Sequence, residues 1–337
     1  MHSVGEIIAA KRLAYVGSAA VARCGVGQFA PLVAAIESAY LAHASRCVVM
    51  PKSEYLRYPD RPSYDRIIPL LGYLGGPFAV SGLKQICSST SNSARNFSRA
   101  SGLIIMNEPE SNRPFALLEA SLISAARTAA VTALALREFA HPALTRVALI
   151  GCGQLGRTHL QMISDYFGTR RFGLRLCDVN RGVLDSALEL ARELGLEAEG
   201  TLDPRAAIEA ADIVITATTE ETPYVEHSWL QPQALYCAVS LLDAKLDVFR
   251  HAQHIIVDDL NQCLHEGRPL DILQRNGELP VSKINEIGAW LAASPRPALS
   301  GGRVVFNPMG TVITDLAVAK TILDRALASG DVVFLDI

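Results

Sequence analysis

Gly151, Gly153 and Gly156 follow the apolar run Val147-Ala-Leu-Ile150 as a G-x-G-x-x-G turn, the spacing by which a strand passes into a helix around a dinucleotide pyrophosphate. Each glycine has a separate task in that pattern. Gly151 makes the tight turn, Gly153 lets backbone N–H groups reach the pyrophosphate, and Gly156 lets the helix pack close to the sheet. Gln154 and Leu155 lie inside the turn and belong to the same cofactor contact. Asp178 ends the next strand candidate, Arg175 to Asp178. A carboxylate there accepts hydrogen bonds from both adenosine ribose hydroxyls and repels a 2′-phosphate, so NAD is favoured over NADP. Arg181 is close enough either to hold a 2′-phosphate or to be a solvated charge at a helix start. Thr216, Thr218 and Thr219 cluster at the carboxyl end of a later strand candidate, where hydroxyls either line the cofactor or serve the turn.

Other groups with chemical potential precede and follow the turn. Lys84 stands in Ser81-Gly-Leu-Lys84, and Arg127-Thr128 lies on a helical stretch where the guanidinium either meets a ligand or pairs with Glu119 or Glu138. Arg95 and Arg99 are four residues apart, so on a helix they would share a face. Lys52, Arg57 and Arg66 are further cations in the preceding segment, and Asp243 in Ser240-Leu-Leu-Asp243 is either an active-site carboxylate or a helix N-cap. His251 and His254 have H-x-x-H spacing but no third ligand beside them, and His159 and His227 stand alone, so no metal site is expected.

These residues need two folded bodies. The chain has 337 residues, half of them apolar, and single cores usually stop growing near about 250 to 300 residues. A formal net charge of -3 favours neither nucleic acid nor an acidic membrane. Glu119 and Arg127 interrupt the longest apolar stretch, Phe115 to Leu136, and the N-terminus has no leader pattern, so a cytoplasmic chain is expected. The seven cysteines are scattered singly and in odd number, which speaks against a disulfide framework and for buried thiols. Cys152, inside the glycine turn, is either a redox switch or simply a small residue at a variable position.

Ahead of the turn, Gln28 to Ala44 shows helical apolar spacing, Phe78 to Ile86 reads as a strand, and Gly102 to Met106 and Phe115 to Leu118 read as a hairpin around Asn107 to Asn112. Residues 119 to 138 hold good helix formers without Gly or Pro and lead into the cofactor domain. After the turn, strand candidates at 175–178, 213–218, 235–239 and 255–258 alternate with helical stretches such as Leu184 to Leu194. That rhythm predicts α/β architecture: a Rossmann-type doubly wound parallel sheet over 131–305. It is joined to an α+β domain made of residues 1–130 and the tail 306–337: a Gly-rich connection after Pro295 leads to Val304 to Phe306 and then to a helix from Thr314 to Ala328, and this tail is expected to return to the first domain.

The runs Ser81-Gly-Leu-Lys84, Arg95-Asn96, Arg99-Ala-Ser-Gly102, Glu119-Ala-Ser-Leu-Ile-Ser124, Arg127-Thr-Ala-Ala130, Ile150-Gly-Cys-Gly153, Val257-Asp-Asp259 and Asn307-Pro-Met-Gly310 together resemble the ornithine cyclodeaminase/mu-crystallin family over nearly the whole chain. Within it they are most similar to the N-(2-amino-2-carboxyethyl)-L-glutamate dehydrogenases of siderophore-type 2,3-diaminopropionate biosynthesis. The resemblance implies an NAD-dependent enzyme acting on a CH–NH bond of a small amino acid with several carboxylates, and a homodimer joined through the non-cofactor domain. It implies Lys84 and Arg127 as substrate-carboxylate ligands, Asp243 with Lys84 as catalytic groups, and Thr128, Thr218 and Met309 as cofactor contacts. Ornithine cyclodeaminases have a more glycine-rich segment in place of Arg95-Asn-Phe-Ser-Arg99, so Arg95 or Arg99 is expected to clamp an extra carboxylate. Ornithine cyclodeamination, and a non-catalytic binding role like that of mu-crystallins, are the alternative implications.

Overall fold

The computed structural model describes residues 4–62, 65–168, 172–240, 242–297, 299 and 301–337. It divides into two compact units, residues 1–127 with 311–337, and residues 128–310.

The first unit is built on strands β1 (Arg12–Val16), β2 (Val48–Val49), β3 (Leu56–Arg57), β4 (Arg66–Leu74), β5 (Val80–Ser88), β6 (Ala100–Asn107) and β7 (Pro114–Glu119), and it takes its last strand from the tail. Strands β4 to β7 form an antiparallel meander, while β1 runs parallel to β7. Alternation along the strands puts Leu74, Lys84, Ile104, Met106 and Leu118 on one buried face. Helices Phe29–Ala44 and Val312–Ser329 supply the other side of that core with Leu32, Ile36, Tyr40, Leu316 and Ile322. Gly72 and Gly82 face each other across β4 and β5. A Cβ on Gly72 would lie 2.4 Å from the Val312 side chain, and one on Gly82 2.8 Å from that of Leu316. The two glycines therefore let the start of helix Val312–Ser329 press onto the sheet beside Lys84. The opposite face of the sheet is apolar yet uncovered, with Val49 59%, Leu71 55% and Leu103 41% exposed.

The second unit contains β8 (Arg146–Ile150), β9 (Gly173–Cys177), β10 (Ala198–Thr201), β11 (Ile213–Thr216), β12 (Leu235–Ala238), β13 (His254–Val257), β14 (Ile284–Glu286) and β15 (Val304–Asn307). They form one parallel sheet in the order β10-β9-β8-β11-β12-β15-β13-β14, a doubly wound arrangement that reverses direction at β8. Every residue of β11, β12 and β15 is buried, which is why these strands read as continuous apolar runs. The tail ends as β16 (Val333–Asp336), antiparallel to β1 in the first unit.

Three local expectations change. The long helix spans Ser121–Phe139 and does not begin at Glu119, because Glu119 closes β7 and turns its carboxylate back to accept from the N–H groups of Ser121 at 2.6 Å and Leu122 at 3.0 Å. Those are donors a helix start leaves unsatisfied. Arg95 and Arg99 do not share a helix face: the 3₁₀ turn Thr90–Arg95 stops at Asn96, whose φ is +57°. The cysteines are not uniformly buried, since Cys47 is exposed and Cys87 half-buried. No helix among the described residues is long and apolar enough to cross a membrane.

Candidate functional site

In the second unit the glycine turn leaves β8 at Ile150 and enters helix Gln154–Phe167 with Gly153 at the N-cap. Gly151 has φ +93°, and a Cβ there would lie 2.6 Å from the Ala217 carbonyl oxygen. On Gly156 a Cβ would lie 2.1 Å from the Gly151 carbonyl oxygen, whereas on Gly153 it would meet nothing within 4 Å. Two glycines are thus demanded by the fold, and the third borders open space. Gln154 is exposed and Leu155 half-buried at the helix start. A cleft of about 700 Å³ opens here at the carboxyl ends of the strands, lined by Gly151, Gly153, Asp178, Pro204, Thr218 and Tyr224 among others. Asp178 lies one residue beyond β9, and its carboxylate accepts from the Cys152 and Asn180 N–H groups, both at 2.8 Å. That fixes the carboxylate at the cleft wall with lone pairs to spare for hydroxyl donors. Arg181 is exposed and lies 3.9 Å from Asp185.

Asp243 is fully buried. Thr218 donates to it at 2.7 Å and Ser240 by a short hydrogen bond. Burial raises the Asp243 pKa above the usual carboxylate range, and the hydroxyls of Ser240, Thr218 and Thr216 oppose the shift. It is not a helix N-cap, because helix Leu246–His251 has Lys245 in that position. Thr218 both lines the cleft and holds Asp243, so its hydroxyl is already committed as a donor. Thr128 is half-buried on helix Ser121–Phe139, and its carbonyl accepts from Thr132, which also meets the buried His159 ring at 3.0 Å. The Met309 and Gly310 N–H groups donate to the buried Asp258 at 2.9 and 2.7 Å. The runs Val257-Asp-Asp259 and Asn307-Pro-Met-Gly310 are therefore one structural device, and Asp258 was not singled out from the sequence.

In the first unit Lys84 and Arg127 converge on Asp315, another residue the sequence reading missed. Lys84 Nζ lies 2.6 Å from one Asp315 carboxylate oxygen and Arg127 Nε 2.9 Å from the other. Lys84 and Asp315 are buried, and Arg127 nearly so. Arg127 thus takes neither of its expected partners: Glu119 caps the helix, and Glu138 pairs with Arg137 and Arg296. Burial, helped by the Arg127 charge and opposed by Asp315, pushes the Lys84 pKa down to about 8. Among the described residues, two cations against one anion leave a nearly buried surplus of one positive charge. A carboxylate is the natural complement.

Farther along the same strands the register brings Arg57 opposite Arg66 and Arg66 opposite Ser88. The Arg57 and Arg66 guanidinium groups lie 4.8 and 5.3 Å from the centre of the Tyr55 ring, and Arg99 donates to Ser88 Oγ at 2.9 Å. Ser88 is four residues from Lys84 on β5, hence on the same sheet face roughly 13 Å away. Asp65, almost fully buried, ties down this end by accepting from Ser89 Oγ at 2.9 Å and the Thr90 N–H at 2.7 Å. Arg95 turns elsewhere, donating to Asn92 at 2.7 Å within its own loop. Lys52 is exposed. Among the described residues no group of three metal-ligating side chains occurs.

The model of the ornithine cyclodeaminase/mu-crystallin family matches residues 8–330. The N-((2S)-2-amino-2-carboxyethyl)-L-glutamate dehydrogenase of Staphylococcus aureus is 32% identical over 324 residues, covering 94% of this chain and 96% of that protein. The crystal structure of CmnK superposes with a TM-score of 0.88 at 28% identity, over 97% of this chain and 99% of that one. An archaeal alanine dehydrogenase dimer with bound NAD has the same fold, with a TM-score of 0.84 at 21% identity over 96% of this chain and 99% of that one. With a family model that spans nearly its whole length, the chain is a member of the ornithine cyclodeaminase/mu-crystallin family.

Proposed function

We propose that this chain is an NAD-dependent dehydrogenase that converts N-(2-amino-2-carboxyethyl)-L-glutamate and water into 2-oxoglutarate and L-2,3-diaminopropionate, a siderophore precursor, with formation of NADH. The observation that carries this reading is the pair of cationic stations on one sheet face: the buried surplus at Lys84 and Arg127, and the Arg57, Arg66 and Arg99 row. The adduct carries three carboxylates, one for the first station and others for the second. Likeness to the Staphylococcus aureus enzyme supports the same substrate.

The residues around the glycine turn fit NAD: open space at Gly153, and a carboxylate at Asp178 suited to ribose hydroxyls. Gln154, Leu155, Thr128 and Met309 complete this assignment. Bound NAD supplies a hydride acceptor. Lys84 and Arg127 hold the glutamate α-carboxylate and orient the reacting carbon. Asp243 takes one proton from the protonated bridging amine, and the lone pair so freed drives hydride from the α-carbon. The same carboxylate then directs water onto the resulting C=N bond, and hydrolysis separates the two products. A carboxylate raised by burial suits that exchange. The apolar outer face bearing Val49, Leu71 and Leu103 fits a second copy of the chain, giving a homodimer in the cytoplasm.

Ornithine cyclodeamination is the second reading. It would place an amine, not a carboxylate, beyond the α-carboxylate, where a row of arginines repels it. Purified protein incubated with NAD and either the adduct or ornithine separates the two. NADH with the adduct supports the proposal; proline and ammonia from ornithine without net NADH would replace it.

A further inference from the structure

Asp315 enters at a buried position of a helix whose buried residues are, apart from Thr314, apolar, among them Ile313, Leu316 and Val318. A lone carboxylate there is costly without partners. Its two oxygens are divided between two cations from different elements, Lys84 of β5 at 2.6 Å and Arg127 of helix Ser121–Phe139 at 2.9 Å. Among the described residues the charges that act on the Lys84 amine are Asp315 and Arg127; its strand neighbours are Leu70 of β4 and Ile104 of β6, and Ser124 Oγ lies at 3.4 Å. The Gly72 and Gly82 pair lets the helix approach closely enough for this arrangement. Without Asp315, two cations would face each other in a desolvated pocket, and the lysine, which can lose its proton, would become neutral.

We infer that Asp315 is a positioning residue that keeps Lys84 protonated and clamped beside Arg127, so that the pair presents two charges to a substrate carboxylate. The inference rests on the proposed carboxylate-binding role of those cations, and it deepens that role by making Asp315 set the pH range over which it works. Asp315 raises the lysine pKa against burial. Its removal therefore moves Lys84 to the neutral form at lower pH.

The test reads Lys84 directly and does not depend on which substrate is turned over. The chain's lysines are Lys11, Lys52, Lys84, Lys245, Lys283 and Lys320, few enough for carbon-13 labelling at Cε and titration by NMR, with the Lys84 signal identified by its loss in Lys84→Arg. Asp315→Asn should move that titration down by at least about one unit, since a charge pair at this separation carries more than that even at a high effective dielectric constant. The alkaline limb of kcat/KM should move with it. Asp315→Glu should recover most of both. In the Lys84→Arg background, where the cation does not deprotonate, Asp315→Asn should leave the limb in place. An unchanged Lys84 titration in Asp315→Asn, or an equal limb shift in the Lys84→Arg background, overturns the inference. If Asp315→Asn does not fold, Asp315→Glu decides by whether its Lys84 titration matches the wild type. Absence of turnover with every amino acid tried, alongside the expected titration shift, would reject the proposed reaction and leave the role of Asp315 standing.

Discussion

The glycine turn allows fold and cofactor binding to be perturbed separately. A Cβ on Gly153 meets nothing within 4 Å, and the residue's φ of -67° and ψ of -163° suit a β-branched side chain. Gly153→Val should therefore fold normally, with a Tm within about 2 °C of the wild type, the span of a stability change under about 1 kcal/mol. Its side chain would fill the space the pyrophosphate needs. Loss of even one charge-assisted hydrogen bond, about 1.5 to 3 kcal/mol, weakens NADH binding roughly 10- to 150-fold. Gly156→Ala should behave in the opposite way. Its Cβ would sit 2.1 Å from the Gly151 carbonyl oxygen, so the helix must retreat, at a cost of about 1 to 3 kcal/mol or more, and Tm should fall by several degrees. Thermal melts with NADH fluorescence titration read both. If Gly153→Val binds NADH as tightly as the wild type, the pyrophosphate does not approach this turn and the reasoning fails.

Further outcomes follow from the same geometry. Asp178→Ala should weaken NAD binding about 10- to 100-fold by losing charged acceptors for the ribose hydroxyls, while NADP binding improves; unchanged discrimination in competitive titration would remove Asp178 from cofactor choice. Arg66→Gln should raise KM for the adduct about 10-fold or more with little loss of kcat, and equal effects on a monocarboxylate substrate would contradict the arginine row as a distal station. Asp243→Asn should lower kcat by about 10² or more at unchanged fold; full turnover would end its catalytic assignment. Burial pushes the Lys84 pKa from an ordinary 10.5 down to about 8, so between those pH values the unfolded chain binds the extra proton. The contribution of Lys84 to stability should therefore rise from pH 8 to 10.5, by up to about 3 kcal/mol. Urea unfolding of wild type and Lys84→Met at the two ends of that window checks the sign, and a wild-type stability that falls relative to Lys84→Met as pH rises would refute it.

What the sequence made legible was local. Gly151, Gly153 and Gly156 announce a turn whose demands are steric and short-range, and β11, β12 and β13 stand out because parallel strands covered on both faces lose their polar alternation. The interior strand β1 and the edge strand β16 went unread. Each is short, and β16 is mostly exposed, so neither shows a clear period. Asp315 was invisible for a different reason: one acidic residue on an apolar helix face looks like noise until the partners 231 and 188 positions away are brought to it. The signal that does exist is the charge itself, placed where the helical period puts the core. For the arginines, the four-residue spacing of Arg95 and Arg99 points to a shared helix face that the 3₁₀ turn ending at Arg95 does not provide. Strand register instead joins Arg99 through Ser88 to Arg66 and Arg57, a connection that depends on the β4 and β5 pairing.

The most direct test of the proposed chemistry follows the hydrogen on the glutamate α-carbon. Adduct deuterated at that carbon, incubated with NAD and the purified protein, should yield singly deuterated NADH in equal amount with 2-oxoglutarate and L-2,3-diaminopropionate. Products without deuterium in NADH, or no NADH at all while ornithine is converted to proline, would contradict it.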